Sequence, residues 1–308
     1  MLTGSNQSGP QKIMRTDINI VYHLGAPYTD NEQVTWSLRK DAALLAEQKV
    51  YLRRPRLYRP LISKMVQELQ GEKPSVADQE YLLNSIIGKE KIKRLFMSNS
   101  NFLGIPAWMF YGGKFYDNAG KNTAAIRNLF PDNPCEFFLG SANPAVFIPN
   151  AFRGQKKKKY PQFMENIDLA TVRWSDVITR IQDANPDCPI TIWCNEDSPV
   201  IWPTILHKIA AIDPKIILKG ENDIVNMIIS EEGQTLLAKY LADRPNLTDA
   251  QRRRLRIVFL ERFYLSDVVE EVIDLPGWTD ETVEALTKIY DDDVNRIKQM
   301  DGVTFLSP

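Results

Sequence analysis

Proton-transfer chemistry in this sequence would fall to a few side chains. His23 and His207 are its two histidines. His23 lies near the end of the apolar run Ile18–Leu24, just before a glycine turn. That position suits either a general base at a strand end or an imidazole satisfied inside the core. Glu196 and Asp197 follow the run Ile190–Cys194. They suit acid–base work, and equally the capping of the next helix, whose positive end favours acidic groups. Cys194 has no histidine near it in sequence and reads as a packing residue. Two histidines and three cysteines without a Cys-x-x-Cys pair give no basis for a zinc site or a disulfide framework.

The turn Gly25-Ala26-Pro27-Tyr28-Thr29-Asp30 separates the first apolar run from a helical pattern. Strand, turn and helix N-terminus together form a natural anion site, because unpaired backbone N–H groups point outward there. A working phosphate loop adds glycines for close approach and a lysine for charge. Here Gly25 is the glycine that remains, Pro27 removes a donor and Asp30 brings a negative charge. Thr29 or Asp30 can cap the helix, and a capped helix needs no bound anion.

These residues need a scaffold. Ile18–Leu24, Arg94–Ser98, Cys135–Gly140 and Ile190–Cys194 are short apolar runs bounded by turn residues, and each predicts a buried strand. Helical spacing fills the intervals: residues 30–48 as one helix, then Tyr58–Leu69, Val76–Ile87, residues 123–130, Leu169–Ala184 and residues 199–212. Residues 105–120, rich in aromatics, predict a turn or hairpin around Gly112-Gly113. From Asn222 onward the pattern is mainly helical, with Val303–Ser307 as an edge strand or an extended tail. Strands alternating with helices predict an α/β fold with a mostly parallel sheet covered on both faces, and a helical C-terminal third capping it. Residues 1–16 predict a loose tail and residues 17–308 a single domain. The loops after the strands, including MSNSNFLG, GSANPAVFIPN and WCNEDSP, would gather at one sheet edge, where ligands bind in such folds.

The string HLGAPYTDNEQVTWSLRKDAALLAEQKVYL resembles the N-terminal region of bacterial sulfotransferase-like proteins. That family reads His-Ile-Gly-x-x-Lys-Thr-Gly-Thr-Thr at this point. FFLGSANPAVFIPNAF is similar to its second cofactor segment, where Arg-Asn/Asp-Pro follows a strand and a serine comes later. PITIWCNEDSPVIW and the chain end around IYDDDVNRIKQM are similar to later family segments. The resemblance implies a P-loop sulfotransferase-like sheet and binding of 3′-phosphoadenosine 5′-phosphosulfate. Carried over residue by residue, it places Gly25, Thr29, Asn143 and Asn150 at the cofactor and leaves His23 or Glu196 for catalysis. The departures are as informative. Tyr28 stands at the lysine, Asp30 at the next glycine, Asn31 and Glu32 at the Thr-Thr pair, Ala142 at the arginine and Asn150 at the later serine. A charge-assisted hydrogen bond to phosphate contributes roughly 1.5–3 kcal/mol, so losing two weakens binding by powers of ten. The expectation is a sulfotransferase-like protein without ordinary cofactor binding that binds another partner, a small molecule or a protein. The alternative is an active sulfotransferase with a rebuilt cofactor site.

Two basic stretches offer other chemistry. Lys156–Lys159 reads as a solvated loop, and Arg252-Arg253-Arg254 with Arg256 as a charged helix face. YLRRPRLYR mixes arginine with tyrosine; it would stack on bases or simply join a strand to a helix. A net charge of −1 supplies no field toward nucleic acid, so nucleic acid is not an expected partner. The sequence has no apolar run of spanning length and no signal-peptide run, so the expected location is cytoplasmic.

Overall fold

A computed structural model describes residues 15–30, 32–266 and 275–308. Most of the N-terminal tail, and Asn31 at the family threonine, lie outside the described residues. The strands are β1 (Asn19–His23), β2 (Val50–Leu52), β3 (Arg94–Ser98), β4 (Cys135–Ser141), β5 (Ile190–Cys194) and β6 (Val303–Leu306). They form one six-stranded sheet in the order β2-β3-β1-β4-β5-β6, every pair parallel. The four expected strands are thus neighbours in one sheet. The C-terminal run adds an edge strand. β2 entered the sequence reading only as the strand end of the YLRRPRLYR connection, because it is three residues long and runs straight into Arg53-Arg54-Pro55.

Parallel strands need crossovers, and helices supply them. The helices are α1 (Gln33–Arg39), α2 (Ala42–Glu47), α3 (Pro55–Leu69), α4 (Val76–Ile87), α5 (Ala119–Arg127), α6 (Pro144–Gly154), α7 (Tyr160–Met164), α8 (Trp174–Ala184) and α9 (Ser198–Ala210). Beyond them come α10 (Asp223–Ile228), α11 (Glu231–Asp243), α12 (Asp249–Phe263) and α13 (Asp280–Ile297). Ile20, Tyr22, Met97, Phe137, Leu139 and Ile192 face one core. Val21, Phe96, Phe138 and Trp193 face a second, beneath α1 and α9. Both faces are buried, so the strands read as continuous apolar runs rather than alternating ones.

Two expectations are corrected, and an alternative is decided. The single helix over residues 30–48 breaks at Lys40-Asp41, because the buried Asp41 carboxylate turns away to accept the Lys219 N–H at 2.7 Å. The helix over Leu169–Ala184 begins at Trp174, after a separate 3-10 turn at Leu169–Thr171. Of the turn or hairpin expected around Gly112-Gly113, the turn is what forms: two 3-10 turns, Pro106–Trp108 and Tyr111–Gly113, while Phe110, Phe115 and Tyr116 sink into the core around Trp174. Burying those rings outweighs pairing two short strands at the surface.

The helical C-terminal third does not cap the sheet as one body. α10, α11 and α12 gather by α9 around a small cluster of Val225, Ile229, Leu237 and Phe259. α13 lies against α6 and α8 on the other face. No helix among the described residues is long and apolar enough to cross a membrane.

Candidate functional site

β1 and β4 lie side by side, but β1 leads toward β2 at one edge and β4 toward β5 and the other edge. Such a reversal opens a crevice at the strand ends. The loops after β1, β3 and β4 meet the conditions for a site there.

The first loop folds onto itself. Gly25 has φ +53°, and a Cβ on it would stand 3.0 Å from the Ser100 Cα, so the turn and the close approach of the third-strand loop both require glycine. The Thr29 hydroxyl donates to the Ala26 carbonyl at 2.6 Å. Asp30 caps the helix that follows: its carboxylate accepts the Val34 N–H at 3.1 Å, and its carbonyl accepts the Gln33 N–H at 2.8 Å. Glu32 pairs with Arg59 at 2.5 Å. Arg59 also donates Nε–H to the Ser98 carbonyl at 2.9 Å, and the Tyr58 hydroxyl donates to the same oxygen at 2.8 Å. Tyr28 lies over the end of α6, its hydroxyl 1.3 Å from where a Cβ on Gly154 would be. The result is a cleft of about 320 Å³ lined by Gly25, Tyr28, Asp30, Glu32, Ser98 and Ser100, among others. It is small for a ligand site, and its charged walls are carboxylates.

The second loop is closed from above. Asn143 accepts the Ala145 N–H on its side-chain oxygen at 3.0 Å, capping α6, and donates its amide to Thr287 of α13 at 2.9 Å. Its backbone N–H goes to Glu196 at 2.7 Å. The other oxygen of Glu196 accepts from the Tyr290 hydroxyl at 3.2 Å, and Ser141 Oγ lies 3.1 Å from that hydroxyl. Asn150 is half-buried on α6 and does not line the cleft. Gly25 is the one cofactor candidate on the cleft wall; Thr29 bonds inward, and Asn143 belongs to the α13 network.

Glu196 caps nothing on α9, and neither does Asp197. Glu196 instead bridges the second loop to α13. Burial around its carboxylate pushes its pKa up, against the pull of the Asn143 N–H and the Tyr290 hydroxyl, although the rest of the residue is solvent-exposed. Burial raises the Cys194 thiol to about 11 and the Tyr290 phenol well above its usual range. Neither is a ready nucleophile at neutral pH. Tyr290, Ser98 and Arg59 were missed as contributors. The YLRRPRLYR string signals Arg59, but nothing local singles out Tyr290.

His23 is a core residue. It is 1% exposed, sandwiched between Phe96 and Trp193 with ring centroids 6.4 and 5.8 Å away. Its Nδ1 meets Ser98 Oγ at 2.9 Å, and its Nε2 is buried without a partner among the described residues. Burial lowers its pKa below 6.5, helped by Arg59 and opposed by Asp30. The unfolded chain therefore takes up a proton that the folded chain refuses. Stability should be intact above pH 6.5 and fall as pH drops below it, by up to about 1.4 kcal/mol per unit. Thermal unfolding between pH 5 and 7.5 checks this: His23→Phe should lose less stability on acidification than the wild type. Parallel curves would show that the imidazole is not the linked group.

The basic stretches are more structured than expected. Lys158 is packed: its ammonium sits 4.0 Å from the Trp108 ring centroid and pairs with Glu165, while Lys156 and Lys157 remain exposed. Arg252 and Arg256 are 7% and 5% exposed, because positions four apart share one face of α12 and that face turns inward. YLRRPRLYR is a strand-to-helix connection: β2 ends at Leu52, α3 begins at Pro55, and Arg53 donates to the Ile86 carbonyl.

No family model matches this chain, and no curated protein is significantly similar to it.

Proposed function

We propose that this chain is a sulfotransferase-like protein that has lost ordinary 3′-phosphoadenosine 5′-phosphosulfate binding and works by binding another molecule, a small molecule or a protein. The observation that carries this reading is the occupation of both loops by the chain's own side chains. Asp30 takes the N–H that a phosphate would take at the start of α1. Glu196 takes the N–H of Asn143. Tyr28 stands at the resemblance's lysine, and Glu32 at one of its threonines. A polyanion entering this cleft would meet two carboxylates and one guanidinium already paired with Glu32. A small neutral or cationic polar group fits the Ser98, Ser100 and Asn101 wall better.

Calorimetry with 3′-phosphoadenosine 5′-phosphosulfate and its desulfated product tests this. We expect no binding at micromolar concentration. Clear micromolar binding would favour the second reading, an active sulfotransferase with a rebuilt site that moves a sulfuryl group to a hydroxyl acceptor. The raised pKa of Glu196 is what favours it, since burial makes this carboxylate a better proton acceptor than an ordinary one.

A further inference from the structure

A cavity of about 1100 Å³ opens at the opposite edge of the sheet, where β3 and β4 begin. Its walls are the second half of α9, the loop 211–217 and the first turns of α12. Six side chains of arginine and lysine line it: Arg94, Lys208, Lys215, Arg252, Arg253 and Arg256. Three carboxylates face them: Glu136, Glu221 and Asp249.

Part of this charge is engaged in the fold. Arg94 holds Glu136 through two bonds of 2.8 and 2.9 Å and donates Nε–H to the Ile209 carbonyl at 2.7 Å. Arg252 meets Glu221 at 3.4 Å and ties down the Pro245 and Leu247 carbonyls at 3.0 and 3.3 Å. His207, also in the wall, directs both ring nitrogens at carbonyl oxygens, of Pro203 at 2.6 Å and Ile216 at 2.7 Å, and so holds the loop to α9. At the start of α12 the reciprocal Thr248–Gln251 cap takes up the Gln251 and Thr248 N–H groups.

The remaining cations are compensated only in part: Lys208 shares Glu136 with Arg94, while Glu221 and Asp249 act on Arg256 against Arg252 and Arg253. Arg256 is buried, with Asn222 Oδ1 at 3.1 Å and the Val200 carbonyl at 3.4 Å. Burial lowers its pKa to about 10, and Glu221 only partly opposes that. Lys208, Lys215 and Arg253 make no side-chain hydrogen bond or close ion pair among the described residues. Between them the wall is apolar, from Pro203, Ile212, Pro214, Ile217 and Leu247. A surplus of positive charge beside an apolar floor, in a cavity of ligand size, has one natural complement.

We propose that this cavity binds a small organic dianion, an apolar body carrying a phosphate group. The site is separate from the cleft between the strand-end loops and does not depend on the reading given for it. Arg253 and Lys208 hold the phosphate at the mouth, Arg256 supplies the field from below, and the Ile212–Ile217 wall covers the body.

Phenyl phosphate is the probe, with inorganic phosphate for the head alone and benzyl alcohol for the body alone. Calorimetry on the full chain at low salt should give a dissociation constant of roughly 0.1 mM for phenyl phosphate, and at least about tenfold weaker binding for either part. Lys208→Gln and Arg253→Gln should each weaken phenyl phosphate by about fivefold, and Arg253→Lys by less. The melting temperature of the free protein should not fall by more than a degree or so in these variants, since neither side chain bonds within the fold and loss of the Arg253 charge relieves repulsion on Arg256. Three outcomes would overturn the proposal: no heat and no thermal shift at about 5 mM probe, equal affinity for inorganic phosphate, or phenyl phosphate binding unchanged in the Lys208→Gln, Arg253→Gln double variant.

Discussion

Asp293→Ala is expected to remove about 3 kcal/mol of stability. Asp293 is 3% exposed on α13 and reaches across to the start of α8. One carboxylate oxygen accepts the Ser175 N–H at 3.1 Å, and the other accepts the Ser175 hydroxyl. Ser175 is fully buried, so alanine leaves two donors with neither protein nor water to receive them. Each such orphan costs about 1–3 kcal/mol, and α8 loses its N-terminal acceptor as well. Asp293→Asn keeps an acceptor for one of the two donors and should lose about half as much. Urea unfolding measures both, and a loss under about 1 kcal/mol for alanine would show that water replaces the carboxylate. The substitution also reaches the candidate site. α13 carries Thr287 and Tyr290, which hold Asn143 and Glu196 in place. Loosening α13 should therefore speed hydrogen exchange at the Asn143 amide more than at amides of β1.

The sheet was legible because four of its strands are buried on both faces and announce themselves as apolar runs. β2 was legible only as the strand end of the YLRRPRLYR connection, since three residues carry no periodicity. The first loop was also legible. Gly25 turns the chain and Asp30 accepts a first-turn N–H, as their chemistry suggests, whereas Thr29, expected as a cap or a cofactor contact, bonds back to Ala26. The second loop was not, because its partners come from 53 and 144 residues away, in Glu196 and Thr287. No local pattern encodes such contacts. Asp293 hides inside the acidic triplet Asp291-Asp292-Asp293, where composition suggests a solvated helix face and the fold buries the third member. Arg252 and Arg256 were misjudged for the same reason. α12 is so polar all round that hydrophobic periodicity cannot say which side faces in.

Ala142→Arg should be at least as disruptive as Asp293→Ala, although the resemblance places an arginine at that position. Ala142 is 6% exposed and packs in the larger core beside Ala145 and Phe147. Its carbonyl accepts the Trp174 indole N–H at 2.8 Å. An arginine there must push into a filled interior, at about 1–3 kcal/mol for overpacking. It must also bury a charge, at several kcal/mol unless it is paired. Glu196 could pair with it only by giving up the Asn143 N–H or the Tyr290 hydroxyl. The expected loss is about 4 kcal/mol or outright misfolding, read as a melting temperature lower by roughly 10 °C. Tyr28→Lys makes the contrast. Tyr28 is 37% exposed, so a lysine there can reach solvent and should leave the melting temperature within a few degrees. The two substitutions separate two histories for the second loop. If Ala142→Arg folds as well as the wild type and the double variant gains affinity for the desulfated nucleotide, the loop is a cofactor site missing one side chain. If Ala142→Arg collapses while Tyr28→Lys does not, the position beside Trp174 has no room for the arginine that the resemblance implies, and no single side chain makes a cofactor site there.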